Sequence, residues 1–298
     1  MTIPEKQPQG VNLSELDVVT NSHPHLTLAH PFQMHWNVHG PESFYRADVH
    51  YALQMSVVRH GEIEINFENF HRICHAGDMW WTFCWEPHAY RALGRRNLLV
   101  TFTINLDDLG EIGVLGSSIN WLAPFSDTPD KRYTPRTQAE RNRIRQLITR
   151  MLHMYRQQPA NWQTQCWLYF HCLLLYVIEH MPETTATPRN APEIRGFLER
   201  LRPALELVRT SPVTPDLKSA ASVCHLSVSR FSELFRKALG QSYGHFALRA
   251  KLGHCAADLK NGRLLLKEIA QRHGFCDAAS LCKAFRRVFH CTPTEFKA

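Results

Sequence analysis

The pattern that most constrains this chain occurs twice in its last third. One copy runs from Pro215 to Phe235 and the other from Lys267 to Phe285. Each begins with a short apolar-periodic segment carrying a small residue placed to face a partner helix, Ala221 in the first and Ala270 in the second. Each then passes through a tight turn into a second segment ending on Phe-Arg, at Phe235-Arg236 and Phe285-Arg286. This is helix-turn-helix spacing, in which the second helix is presented outward at a size that fits a DNA major groove. Two copies in register, joined by a helical stretch, define a paired architecture that a single copy would not.

The spacing predicts recognition helices over residues 228–238 and 278–289, with Ser227 and Asp277 as N-caps. Gly240 is placed to end the first, and a connecting helix runs from Tyr243 to Lys260, closed by Asn261-Gly262. Helix spacing turns Phe231, Leu234 and Phe235 inward in the first, and Leu281, Phe285 and Val288 inward in the second. The outward residues are the candidate DNA contacts: Ser229, Ser232, Glu233 and Arg236, then Ala279, Ser280, Cys282, Lys283, Arg286 and Arg287. Lysine can donate to guanine, glutamate can accept from cytosine, and serine adapts to either. The arginines sit late in their helices, where they neutralise phosphates and fix register. Exposed serine and alanine on a helix are ordinarily a solvated face; here position, not residue type, makes the assignment.

Charge follows the same division. Residues 193–298 hold 18 Lys and Arg against 9 Asp and Glu, a net of +9; residues 1–192 hold 16 against 18, a net of −2. The basic excess therefore belongs to the half with the repeated pattern, as expected if only that half meets a polyanion. The nine cysteines include no Cys-x-x-Cys, so no zinc cage or thioredoxin-like site is indicated, and their scatter fits a reducing interior. The N-terminus lacks an apolar signal segment, and the greasiest run, Cys166 to Ile178, is too short to span a bilayer. These features predict a cytoplasmic protein with no membrane partner.

The first half reads differently. Residues 1–20 look like a polar leader. From about residue 26 to 105, short strands are expected, with Ile63, Ile65 and Phe67 alternating against Glu62, Glu64 and Asn66, and with Gly61, Gly77 and Gly94 as punctuation. Pro124 to Pro135 breaks the pattern. Ile144, Leu147, Ile148, Met151, Leu152 and Tyr155 then form one helical stripe over residues 137–157, and a second helix, apolar on most sides, runs from Trp162 to Met181. Such a surface must be covered, by its own barrel, by a second copy, or by both. The expected domains are a barrel at 21–135, a helical dimerisation segment at 136–182, a linker at 183–192 and the paired domain at 193–298.

Strand alternation places His50, Ala52, Gln54 and Ser56 on one face, a polar row suited to a barrel cavity. Trp80, Trp81, Phe83, Trp85, His88 and Tyr90 crowd one neighbouring segment. The candidate effector-binding residues are His50, Gln54, Trp80, Trp85, His88 and Tyr90. Any one of these rings serves equally well as core. As a set they describe aromatic walls with a few convergent polar groups, the composition of a small-molecule pocket.

Two resemblances add to this reading. Ile269-Ala270, Gly274-Phe275, Asp277, Phe285, Thr292-Pro293 and Phe296-Lys297 resemble the second unit of the AraC/XylS family of bacterial transcription regulators; Ala221, Ser227, Phe231, Phe235 and Gly240 match the first. The resemblance covers residues 193–298. This chain departs from the pattern at Leu281 (usually aromatic), at His290 and Cys291 before Thr292-Pro293, and at Lys251 and Cys255. Asp48, His50, Gln54 and Gly61, then Gly77-Asp78 and Glu86-Pro87-His88, resemble degenerate cupin motifs. Where metal cupins carry two histidines and a glutamate, Asp48, His50 and Gln54 stand here. Glutamine is a poor transition-metal ligand, so no metal and no cofactor is expected.

The fold class implied is multi-domain α and β: an N-terminal cupin-like β-barrel with a helical dimerisation segment, and a C-terminal all-α domain with two helix-turn-helix motifs. The family implies a homodimeric, non-enzymatic, ligand-responsive regulator that binds double-stranded promoter DNA, works with RNA polymerase, activates more often than it represses, and senses a small molecule such as a saccharide. A metal-dependent cupin enzyme fused to a DNA anchor, and a barrel that serves only to dimerise, remain as alternatives.

Overall fold

The computed structural model describes residues 32–39, 46–106, 109, 119–181, 191–289 and 291–297. Most of the expected leader and linker, and His290, lie outside them. The N-terminal half is built on one six-stranded antiparallel sheet: β1 (Phe32–His39), β2 (Arg46–Asp48), β3 (Leu53–Phe67), β4 (Phe70–His75), β5 (Met79–Thr82) and β6 (His88–Ile104). The strand order is β1-β6-β3-β4, with β2 on β6 and β5 on β3.

The expectation of uniformly short strands is corrected here. β3 has 15 residues and β6 has 17, and they pair from Leu53↔Ile104 to Phe67↔His88. Register shifts at Val58–Glu62 bend this ribbon without ending it. Gly61 and Gly94 therefore lie inside strands rather than between them, and only Gly77 sits in a turn. At Gly61 the bend brings Asn97 so close that a Cβ would meet its Oδ1 at 2.1 Å. Because β3 is long, it pairs with β5 in its first half and β4 in its second, which curls the sheet toward a barrel.

The two faces of the ribbon have different fates. Val58, Ile63, Ile65, Cys74, Trp80, Ala92 and Leu99 form an inner apolar cluster. Glu64 and Asn66, expected on a wet face, are buried as well; Glu64 accepts a hydrogen bond from Arg91 Nη2 at 2.7 Å. Met55, Val57, Trp81, Val100 and Phe102 join a larger core that continues into helices. These are α1 (Ala123–Ser126), α2 (Gln138–Gln157) and α3 (Trp162–His180). Thr137 caps α2, accepting from Glu140 N–H, and Phe170 of α3 stacks on Phe102 at 4.4 Å. Leu168 and Cys172 of α3 remain exposed.

The C-terminal half is helical: α4 (Ala191–Thr210), α5 (Leu217–Val223), α6 (Val228–Leu239), α7 (Tyr243–Asn261), α8 (Leu266–Arg272), α9 (Ala278–Phe289) and α10 (Pro293–Lys297). The expected linker ends sooner than its composition indicated, because α4 already begins at Ala191. Phe231, Phe235, Tyr243 and Phe246 make one aromatic core, and Phe285, Phe289 and Phe296 another. Among the described residues no helix is long and apolar enough to cross a membrane.

Candidate nucleic-acid interface and barrel site

The two C-terminal units are built by the same local chemistry. Asp216 caps α5, which buries Ala220 and Ala221; α8 buries Ile269 and Ala270. After each first helix the chain turns back on it. Leu226 N–H donates to Ala221 O at 3.0 Å, and Phe275 N–H donates to Ala270 O at 2.8 Å, the same five-residue return in both units. Gly274 takes φ +68 in the second turn, while His225 takes φ +53 in the first.

The second helices are then capped by Ser227, which accepts from Arg230 N–H, and by Asp277, which accepts from Ser280 N–H at 2.7 Å. α6 buries Phe231, Leu234, Phe235, Ala238 and Leu239. α9 buries Leu281, Phe285, Val288 and Phe289. Ser229, Glu233, Arg236, Ala279, Lys283, Arg286 and Arg287 are exposed, and Ser232, Ser280 and Cys282 half-buried. All ten sequence-derived candidates thus reach solvent on the two outward helices.

Two of them carry other engagements. Glu233 is bonded by Arg230 Nη1 at 2.7 Å and by Lys237 Nζ at 2.9 Å, and these two partners hold its carboxyl below the usual range. Ser280 Oγ donates to Asp277 O at 2.8 Å, within its own cap. Sequence reasoning missed Arg230 and Lys237, both exposed on α6. Their spacing around Glu233, three residues before and four after, was the available signal.

In the barrel, β3 is flanked by β5 and β6 so that Gln54 lies between Thr82 and Thr103. Neither threonine hydroxyl has a hydrogen-bond partner, although both side chains are fully buried. Gln54 Oε1 lies 3.2 Å from His88 Nε2, and His88 Nδ1 donates to Glu86 O at 2.9 Å. The His50 ring meets His88 edge-on at 5.1 Å, and Ser56 and Thr101 share a hydroxyl bond of 3.0 Å. Burial lowers the His88 pKa, against the pull of the nearby Glu86 carbonyl and charge. The result is a buried polar tier. Trp80 lines a narrow surface cleft with Phe67, Phe70, Arg72, Arg132 and Tyr133, and Tyr90 packs on the inner cluster.

Trp85 does not join this site. Its φ is +56, and its ring turns away from the polar tier toward α7, 4.9 Å from His254. Strand alternation could not foresee this, because β5 ends at Thr82 and a turn intervenes. His50 and Ala52 likewise precede β3 rather than belonging to it.

Asp48, His50 and His88 bring three possible ligand atoms within 4.8 Å of one another. Burial raises the pKa of the Asp48 carboxyl, and an amide, Gln54, stands 3.2 Å from His88 Nε2, where glutamine is a poor transition-metal ligand.

A curled barrel is joined to two outward-facing, positively charged helices in matched helix-turn-helix units. Residues 220–298 match the family model of a helix-turn-helix domain. The chain is 22% identical over 251 residues to an uncharacterized HTH-type transcriptional regulator of Staphylococcus aureus, covering 83% of this chain and 31% of that protein. It is 23% identical over 156 residues to the HTH-type regulator YijO of Escherichia coli K12, covering 52% of this chain and 53% of that one. The chain thus spans between about a third and a half of the length of these relatives. Its fold is similar to that of ToxT from Vibrio cholerae O395, with a TM-score of 0.53 at 10% identity over 90% of this chain and 97% of the other. It is also similar to ToxT of strain SCE256, whose structure is described as bound to an unsaturated fatty acid, with a TM-score of 0.51 at 10% identity over 89% and 94%.

Proposed function

We propose that the protein is a ligand-responsive, sequence-specific transcription regulator rather than an enzyme, acting on promoter DNA in the cytoplasm. One observation carries the reading: α6 and α9 are held by identical returns and each leaves a polar, arginine-bearing face outward. Lys283 is the base-reading residue of the second unit, and Arg236, Arg286 and Arg287 bind phosphates. Two copies, paired through the exposed side of α3, would present four such helices to a pair of half-sites. Family resemblance supports contact with RNA polymerase and activation.

The effector is a small molecule held in the barrel. Gln54, Thr82, Thr103 and His88 offer hydrogen-bonding groups that suit a saccharide or similar polyol; that ToxT is described as bound to a fatty acid supports a small-molecule effector without fixing its class.

Pulldown of fragmented genomic DNA on the purified chain tests the first claim. Enrichment of a few discrete fragments is expected, and indifference to duplex DNA at low salt would overturn it. A thermal-shift panel of sugars tests the second. The grouping of Asp48, His50 and His88 favours one competing reading, a metal-dependent cupin enzyme anchored to DNA; stoichiometric iron, manganese or zinc in the purified protein would move the conclusion there.

A further inference from the structure

Barrel and reading head touch through two glycines. Gly240 ends α6 against the backbone of α1, where a Cβ would lie 2.5 Å from Ser126 O. That glycine is required by its φ of +70 whatever faces it. Gly253 is different. It lies inside α7 with ordinary helical backbone, where glycine weakens a helix relative to alanine. The missing side chain leaves a notch that Trp85 fills: a Cβ on residue 253 would lie 2.7 Å from Trp85 Cε3 and 2.8 Å from Cζ3. Gly244, in the same helix, has nothing within 4 Å of its Cβ position.

Further contacts surround the notch. Arg249, one turn earlier on α7, bonds Glu68 at 2.8 Å and reaches Glu86 at 3.7 Å. Glu86 is also held by Arg132, at 3.0 Å through Nη2. Beyond Trp85, His254 contacts Val208 O at 3.0 Å and stacks on His273 at 6.2 Å. His273 closes α8, the first helix of the second unit, and bonds Asp258 at 2.8 Å. Packed rings thus run from the barrel to the second helix-turn-helix.

The opposite side of the same turn belongs to the barrel. Trp85 N–H donates to His50 O at 2.7 Å, and Glu86 O accepts from His88, which meets Gln54. Trp85 sits in a left-handed conformation that bulky side chains avoid, so both sets of contacts hold a strained residue in place. A strained turn clamped between a site and a docked helix is a natural two-state element.

We propose that the Phe83–His88 turn transmits occupancy of the barrel to the reading head: a small molecule engaging His88 and Gln54 shifts Trp85 and Glu86, and α7 leaves its seat at Gly253 and Arg249. This rests on the reading of the barrel as an effector site.

Hydrogen exchange of residues 243–261 in the full chain reads the docking without any effector. Gly253→Ala is expected to speed exchange around Arg249 and His254 by about tenfold, by undocking rather than unfolding α7. It should also change affinity for a duplex recovered by genomic pulldown by about fivefold in either direction. Gln54→Met touches no part of α7, yet should loosen the same amides, and the double variant should loosen them no further than Gly253→Ala alone. His88→Ala should behave as Gln54→Met does; should it fail to fold, Gln54→Met decides. Unaltered α7 exchange in Gln54→Met, or strictly additive effects, would overturn the proposal. Loosening by Gln54→Met beside a silent sugar panel would fault the effector reading alone, whereas unaltered exchange beside a responsive panel would fault this coupling.

Discussion

Lys251 of α7 donates to the carbonyl of Gly274 at 2.6 Å while its ammonium sits 3.9 Å from the centre of the Phe275 ring. One side chain thereby ties the connecting helix to the turn of the second helix-turn-helix unit. A charge-assisted hydrogen bond and a cation–π contact act together here. Lys251→Met keeps the stem but loses both, and should destabilise the chain by about 1–2 kcal/mol in denaturant unfolding. A change within error would show that the tie contributes nothing to stability.

Glu233 pairs with two cations on an outward-facing helix. Glu233→Gln frees Arg230 and Lys237 for phosphate. Nonspecific affinity measured by fluorescence anisotropy should rise about three- to tenfold at low salt, with a salt slope steeper by about one to two contacts. A fall in affinity confined to one base position would instead identify Glu233 as a base-reading residue.

Lys283 and Arg286 are both exposed on α9, three residues apart. Lys283→Ala should weaken binding to the recovered operator by about 1–3 kcal/mol more than binding to random duplex. Arg286→Ala should cost affinity on every sequence and lower the salt slope by about one contact. Equal losses for Lys283→Ala on both duplexes would place it on phosphate.

Burial holds His88, His171, His245 and His254 below the ordinary histidine value of 6.5. As pH falls through that value the unfolded chain takes up protons first, so stability is full above about 6.5 and declines below it toward the folded-state values. Asp48, pushed up by burial, acts in the opposite sense. If the imidazoles outweigh Asp48, the melting midpoint should drop between pH 7.5 and 5.5, by roughly 2–4 °C for each kcal/mol lost, and His254→Asn should blunt the drop. A midpoint that holds or rises would show that the histidines do not control it.

The helices were more legible than the barrel. α9 was expected at 278–289 and runs from Ala278 to Phe289, because its cap, its apolar spacing and its arginines are all local signals. The strands were read too short because the bulge near Gly61 depends on Asn97, 36 positions away, and glycine alone does not say whether a strand bends or ends. His50, Gln54 and His88 do lie together, but His50 precedes β3, so strand alternation was not what placed it there. Trp85 was misplaced because its position answers to Gly253, in the other domain. Thr82 and Thr103 were missed altogether: one buried hydroxyl in a strand looks like any other until its neighbours are known.

The span of α7 sets a mechanical condition on whatever duplex the protein grips. Its 19 residues make a strut of roughly 28 Å. Successive turns of a straight duplex repeat at about 34–36 Å. On the proposed function, a stiff strut of this length leaves the shortfall to the nucleic acid, and duplexes that curve easily toward the protein, rich in pyrimidine–purine steps, would be gripped most tightly.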